Sequence, residues 1–161
     1  MKILLETANR TSKGYLSLCE VLKRRYSDIE FACFSSDIDT TKIFEGCENP
    51  SFSIYDPFNE ANLIFDHQSN MTLIKEFEAF TGVTIWKMIA ADRLIGWNDH
   101  VGNYQTYIDA KLRRDHEYVI AKVASEIRGI SRMFNDFEPD IFIPSQQMGT
   151  ITLLILEGMC K

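Results

Sequence analysis

At first, the most informative features of this sequence are the ones it lacks. Its four cysteines form no C-x-x-C pair, and Cys19 and Cys33 lie in apolar stretches, where a reduced thiol packs as a small hydrophobic side chain. No apolar run approaches the ~20 residues that a transmembrane helix needs, and the first residues do not resemble a signal peptide. The sequence therefore predicts a cytoplasmic protein with neither a disulfide framework nor a transmembrane segment.

Positive charge is also scarce. The 17 Lys and Arg residues are outnumbered by 23 Asp and Glu residues, which gives a net charge of -6. Because binding to nucleic acid depends on a basic surface, we do not expect a nucleic-acid partner. Small anionic ligands are still compatible with this charge, since a few local groups are enough to hold them.

Motifs for phosphate and metal binding are missing as well. The loop after the first apolar run contains only Gly14, so neither G-x-G-x-x-G nor G-x-x-x-x-G-K-[ST] is present. Each of the three histidines follows an aspartate, but no second histidine or cysteine stands at the spacing of a metal site. We therefore expect no bound cofactor and no metal.

What the sequence does contain is an alternation of apolar segments and helical patterns over 161 residues. The predicted strands are Lys2–Glu6, Ile29–Phe34, Ser51–Tyr55 and the "IFIP" segment at 141–144. The predicted helices are Gly14–Tyr26, Thr40–Phe44, Asn70–Phe80, Thr84–Ile95, Tyr104–Phe134 and Thr150–Cys160. This order predicts an α/β fold of three layers around a mostly parallel sheet, with a helical insertion between strands three and four.

Two of these helices carry broad apolar faces. The face of the first helix comprises Tyr15, Leu16, Leu18, Cys19, Val21 and Leu22. That of the long helix comprises His116, Val119, Ile120, Val123, Ile127, Ile130 and Phe134, which recur every three or four residues. We expect the stripe of the long helix to pack against a sheet, with His116 in the core or at its boundary.

Polar residues follow three of the four predicted strands. They are Asn9, Arg10, Thr11 and Lys13 after the first strand, Ser35 and Asp37 after the second, and Ser145, Gln146 and Gln147 after the fourth. Ligands of open parallel sheets bind beyond the carboxyl ends of the strands, so these residues are the candidate ligand-binding set. Hydroxyls and amides suit sugar hydroxyls because they both donate and accept hydrogen bonds. The alternative is a solvated loop with ordinary turn and cap chemistry, which we favour for Ser35 and Asp37.

Two further segments resemble a known family. "EFEAFTGVTIWKMIAADRLIGW" and "FNDFEPDIFIPSQQMGTITLLILEGMCK" are similar to the N-terminal domain of GT-B-type glycosyltransferases, in particular bacterial capsule and surface-polysaccharide biosynthesis proteins. The residues that carry the resemblance are Glu78, Gly82, Trp86, Asp92, Arg93, Pro139 and Asp140. The resemblance spans nearly the whole chain through loose motifs. It implies a Rossmann-like domain, comprising residues 1–161, that forms the N-terminal part of a longer two-domain protein.

The resemblance also implies a function. In GT-B enzymes the N-terminal domain mainly receives the acceptor, while a C-terminal domain binds the nucleotide-sugar donor. The expected partners are then a sugar or glycan acceptor and a missing donor-binding domain, without which the chain would be inactive. His100 is the candidate base for the acceptor hydroxyl, and Trp97 beside it is either a sugar-stacking residue or a lid over the core. For Asp92 and Arg93 we favour a structural ion pair with the long helix.

Other functions stay open at this point. The main alternative is a stand-alone nucleotide- or sugar-binding module without catalysis; a flavodoxin-type enzyme is disfavoured by the missing phosphate loop. If strand four is the edge of the sheet, a second copy of the chain is one way to cover it, which predicts a homodimer.

Overall fold

The computed structural model describes residues 1–8, 11–35, 38–57, 63–87, 116–145, 155–156 and 158–160, with the backbone alone for 38 and 39. The strands are β1 (Lys2–Glu6), β2 (Glu30–Phe34), β3 (Phe52–Tyr55) and β4 (Ile141–Ile143). The helices are α1 (Ser12–Arg25), α2 (Ile38–Glu45), α3 (His67–Thr81) and α4 (His116–Phe137). Within the described ranges, no helix is long and apolar enough to cross a membrane.

The four strands form one sheet in the order β3-β2-β1-β4, and every pairing is parallel. Ile3 pairs with Phe31 on one side and with Ile141 on the other, so β1 is a central strand. The prediction of an α/β fold around a parallel sheet is confirmed. Parallel strands need crossover connections, and the alternation of apolar and helical segments had indicated these.

The sheet is covered on the face from which Ile3, Leu5, Phe31 and Cys33 project. These side chains form a buried cluster with Cys19 of α1 and Phe44 of α2. Leu4, Ala32 and Phe34 project from the opposite face and are buried as well. Burial on both faces explains why β1 and β2 are nearly continuous apolar runs rather than alternating ones.

The apolar face predicted for α1 is narrower in the structure. Tyr15, Leu16 and Leu22 pack partly against the core cluster, but Leu18 and Val21 are 41% and 59% exposed. A helix in contact with one sheet face buries only the residues that point at it, and Leu18 and Val21 lie outside that stripe. The apolar face predicted for α1 is therefore buried only in part.

The amino-terminal ends of β1 and β4 are held together by Asp140. Its carboxylate accepts a hydrogen bond from the backbone N–H of Lys2 at 2.7 Å, and its own N–H donates to the carbonyl of Lys2 at 2.9 Å. The ammonium of Lys2 lies 3.7 Å from the Glu138 carboxylate and 5.8 Å from the ring centre of Phe137. Asp140 therefore helps to set the register of β4 against β1.

The chain divides into two compact units. The first comprises Met1–Pro57 and Arg132–Gln147 and contains the sheet. The second comprises Phe58–Ser131 and Met148–Lys161 and contains α3 and most of α4.

In the second unit, the motif residues of the resemblance have local structural roles. Gly82 ends α3 with a φ of 71°, a left-handed conformation that favours glycine. Glu78 accepts a hydrogen bond from the backbone N–H of Ile85 at 2.6 Å and so caps the next helical turn. Trp86 in that turn is 54% exposed. Glu78 and Gly82 therefore shape the connection between α3 and the helical turn that follows it.

The same unit contains a close approach between α3 and a C-terminal helical stretch. A Cβ placed on Gly158 would lie 2.7 Å from Cγ2 of Thr81 and 3.5 Å from Cζ of Phe77. Thr81 is buried, and its hydroxyl donates to the carbonyl of Phe77 at 3.0 Å. The two segments pack at a distance that only a glycine permits.

Candidate functional site at the carboxyl ends of β1 and β4

The strand order identifies one position in the sheet as special. From β1 the chain continues to β2 and β3 on one side and later returns to β4 on the other side of β1. Connections that leave in opposite directions open a crevice beyond the carboxyl ends of two adjacent strands, which is where ligands of open α/β sheets bind. In this sheet the two strands are β1 and β4.

Glu6 is the last residue of β1 and reaches across this position. Its Oε2 accepts a hydrogen bond from the backbone N–H of Ser145 at 2.9 Å. A second hydrogen bond joins its carboxylate to the Ser145 side chain. Glu6 is half-buried, and Ser145 is only 4% exposed. A carboxylate therefore links the end of β1 to Ser145, two residues after β4.

Tyr15 of α1 closes the same region from the helix side. Its hydroxyl donates to the carbonyl of Pro144 at 2.7 Å, directly beside Ser145. The backbone N–H of Tyr15 also donates to the carbonyl of Thr11 at 3.0 Å. The loop after β1, the first turn of α1 and the end of β4 thus form one hydrogen-bonded group.

The hydroxyl of Thr11 also closes the loop that precedes α1. It donates to the carbonyl of Ala8 at 3.1 Å and accepts from the Ala8 N–H at 3.4 Å, while Ala8 also accepts from the backbone N–H of Ser12 at 3.0 Å. Thr11 therefore holds the loop in shape, so any contact that it makes with a ligand shares an oxygen already in use.

Thr7 connects this region to the end of β2. Its backbone N–H and its hydroxyl both donate to the carbonyl of Phe34, at 2.9 Å and 3.0 Å. Ser35 follows Phe34 and is buried at 9% exposure. The side chains of Thr7 and Ser35 are both largely withdrawn from solvent.

The electrostatics of the site are dominated by Glu6. Burial raises the pKa of its carboxyl above the ordinary value of 4.5, and the hydrogen bonds from Ser145 act in the opposite direction. Burial also raises the pKa of the Tyr15 hydroxyl, with a further rise from the negative charge of Glu6. Perturbed carboxyl groups in clefts are typical of functional sites, although structural networks perturb them too.

Of the ligand-binding residues predicted from the sequence, Ser145 and Thr11 fall within this hydrogen-bonded group. Ser35 ends the neighbouring strand, and Lys13 lies exposed in the first turn of α1. The remaining predicted residues lie outside the described residues; they are Asn9, Arg10, Asp37, Gln146, Gln147 and His100, together with Trp97, Asp92 and Arg93.

Glu6 and Tyr15 are the site residues that the sequence interpretation missed. Glu6 was included only as the end of a strand, and Tyr15 only as a core residue of α1. One signal was present: an acidic residue that ends a buried apolar run must face water or a hydrogen-bond donor. The partner of Glu6 is 139 positions away in sequence, so the pairing follows only from the strand order.

The histidines do not extend the site. His67 and His116 are both exposed, so the expectation that His116 belongs to the core is wrong. His116 is the first residue of α4 as the structure describes it, and its side chain lies in solvent rather than in the apolar stripe. In the part of the chain that the structure describes, no group of three or more His, Cys, Asp or Glu side chains is placed to hold a metal ion.

Comparisons with known proteins leave the site to be interpreted from its own geometry. No protein-family model, curated protein or solved structure matches the chain.

Proposed function

We propose that this chain is a Rossmann-like domain that binds a sugar or glycan acceptor at the carboxyl ends of β1 and β4. In this proposal it is the acceptor-side domain of a cytoplasmic GT-B-type glycosyltransferase of surface-polysaccharide biosynthesis. The three-layer arrangement and the helical insertion between β3 and β4 belong to the same proposal. The single observation that carries it is the Glu6–Ser145 link at the position where the strand order reverses.

The chemistry of the site favours hydroxyl groups over phosphate. An ionised carboxylate only accepts hydrogen bonds, and sugar hydroxyls are donors that can supply them. A phosphate placed beside Glu6 would instead meet a like charge in a partly buried setting, where Coulomb repulsion is stronger than in water. Lys13 is the one cation in the described part of this edge, and it is exposed.

The resemblance assigns the remaining parts of the reaction to other groups. In such an enzyme a second domain binds the nucleotide-sugar donor, so that the acceptor held here faces the donor across a cleft. His100 remains the proposed base that removes the proton from the acceptor hydroxyl. The domain described here would position the acceptor and would not transfer sugar by itself.

The test is a titration of the protein with neutral monosaccharides and, separately, with inorganic phosphate, followed by NMR chemical shifts. We expect saturable shifts at Glu6, Thr11 and Ser145 with at least one sugar. The variant Glu6→Ala should weaken that binding about tenfold or more, because a hydrogen bond to a charged group contributes ~1.5–3 kcal/mol. The control Glu20→Ala, an exposed acid on α1, should bind as the wild type does.

Two results would contradict the proposal: saturation by no sugar in the panel, or sugar binding that survives Glu6→Ala in a folded protein. Binding of phosphate or of a nucleotide at these residues would favour the alternative, a nucleotide-binding module without catalysis. Tight sugar binding that is never followed by transfer, even with a donor domain present, would favour a sugar-binding module.

The homodimer belongs to the same set of proposals. β4 is an edge strand of the described sheet, and Ile141 is 41% exposed there. Open edges of sheets pair with other chains unless they are covered. We expect light scattering to report a mass that rises with concentration, and a constant monomer mass would exclude pairing through this edge.

A further inference from the structure

A groove in the second unit runs along one side of α3. Its volume is about 480 Å³, a size that suits a small molecule. Ser69, Thr72 and Glu76 line it from successive turns of α3, Asp66 lies at the helix start, and Arg128 of α4 contributes from the second helix. Most of the lining is polar, which indicates a hydrophilic ligand.

Arg128 is held in place by a buried amide. Asn70 is 1% exposed, and its Nδ2 donates to the carbonyl of Ile64 at 2.7 Å. This leaves the Asn70 Oδ1 to accept a hydrogen bond from Nη2 of Arg128. The guanidinium is therefore fixed against α3, unlike that of a freely moving surface arginine.

The other terminal nitrogen of the same guanidinium is unsatisfied. Nη1 of Arg128 is buried and has no hydrogen-bond partner, and within the described ranges no ion pair joins Arg128 to a carboxylate. An arginine side chain does not lose its proton in proteins, so this charge is permanent. A buried N–H without an acceptor is destabilising, and more so when the group is charged. A ligand anion would supply the missing acceptor.

The neighbouring charges narrow the class of ligand. Asp66 and Glu76 are exposed carboxylates on the groove, ten residues apart, which corresponds to ~15 Å along a helix. Together with Arg128 they give the groove a charge of −1, which disfavours a phosphate dianion. A ligand that carries both a carboxylate and an ammonium group satisfies both signs of charge. We propose that this groove binds a small zwitterion of the amino-acid type, with its carboxylate on Arg128 and its ammonium facing the acidic side chains of α3.

Nη1 of Arg128 is shielded from solvent, so the side chains around it must move before a ligand can contact it. The same shielding strengthens the interaction once it forms, since water does not compete for the N–H. Asp66 already uses Oδ1 to cap α3 through the Ser69 N–H at 3.1 Å. No such bond to Glu76 is made within the described ranges, so Glu76 is the better partner for the ammonium group.

The experiment is a calorimetric titration of the protein with the common L-amino acids, with acetate and methylammonium as the separate halves and inorganic phosphate as a dianion. We expect at least one amino acid to bind at least tenfold more tightly than either half or phosphate. Arg128→Gln, which keeps a donor for Asn70, should weaken this binding tenfold or more, and Glu76→Gln about threefold or more. The control Glu48→Gln, at an exposed site in the first unit, should have no effect.

Failure of every amino acid to saturate the wild-type protein would overturn the proposal. So would equal affinity for acetate or phosphate, or binding that is unchanged in Arg128→Gln. If Arg128→Gln does not fold, Glu76→Gln decides: unchanged affinity in that variant rules out the zwitterion. None of these outcomes depends on sugar binding in the first unit.

Discussion

Replacing Gly158 by alanine tests the packing between α3 and the C-terminal helical stretch. The new Cβ would stand 2.7 Å from Cγ2 of Thr81, well inside the contact distance of two carbon atoms. Overpacking of this kind costs ~1–3 kcal/mol. Alanine recovers up to ~1 kcal/mol because it forms helix better than glycine does. We therefore expect Gly158→Ala to lower the free energy of unfolding by up to about 2 kcal/mol, since about 1 kcal/mol of helix propensity is subtracted from the overpacking cost.

Thr81→Ser provides the matched background. Serine keeps the hydroxyl that donates to the carbonyl of Phe77 and removes only Cγ2, the atom in the clash. Chemical denaturation of the wild type, both single variants and the double variant gives a full cycle. Gly158→Ala should be nearly neutral in the Thr81→Ser background, with a coupling energy of about 1 kcal/mol or more. Equal destabilisation in both backgrounds would refute the close approach.

Three further predictions concern Asp140, the cysteines and Glu6. Asp140→Ala should lower the free energy of unfolding by about 1 kcal/mol through loss of the 2.7 Å hydrogen bond from Lys2, and Asp140→Asn by less, as measured by denaturant unfolding. Burial raises the pKa of Cys19 and Cys33 to about 12, so no more than two of the four thiols should react with a thiol reagent at pH 8 before unfolding. Because the pKa of Glu6 is raised in the folded state, its protonated carboxyl favours the folded state below about pH 4.5. This contribution is progressively lost as the pH rises through the folded-state pKa. The stability of the wild type relative to Glu6→Gln should therefore fall from pH 4.5 upward.

Each of these has an outcome that would contradict it. Equal stability of the alanine and asparagine variants at position 140 would remove the role of the carboxylate in β4 register. Four reactive thiols in the native protein would mean that the core around Cys19 is open. A stability difference at Glu6 that grows with pH would mean that the native state favours the ionised carboxyl.

The fold was readable from the sequence because its strands are short, apolar and separated by helical patterns. β1 coincides with its prediction, and β2 and β3 begin one residue later than expected. The start of α1 was predicted two residues late, since Ser12 and Lys13 look like loop residues until the turn formed by Thr11 is known. Periodicity identifies the apolar faces of helices but not how much of each face is covered. The 65% exposure of Phe80 in α3 therefore does not follow from the sequence pattern.

The site was less predictable for a different reason. Residues that follow strands are found by simple inspection, which is how Thr11 and Ser145 were identified. The pairing of Glu6 with Ser145 depends on β4 lying next to β1, and strand order is a property of the whole chain. The role of Asp140 was likewise not predictable from the sequence. Its motif indicates a family resemblance, whereas its geometry gives it a structural role in the sheet.

The most direct test of the central claim is a paired measurement of stability and sugar binding on Glu6→Gln. The glutamine oxygen can still accept the Ser145 N–H, and the neutral amide avoids the burial of a charge, so the free energy of unfolding at pH 7 should be unchanged or higher. Its second polar atom is a donor, which no longer accepts from a sugar hydroxyl. We predict that sugar binding falls about tenfold or more while stability is kept. Unchanged sugar binding in this stable variant would contradict the account, because Glu6 would then be only a structural link between β1 and β4.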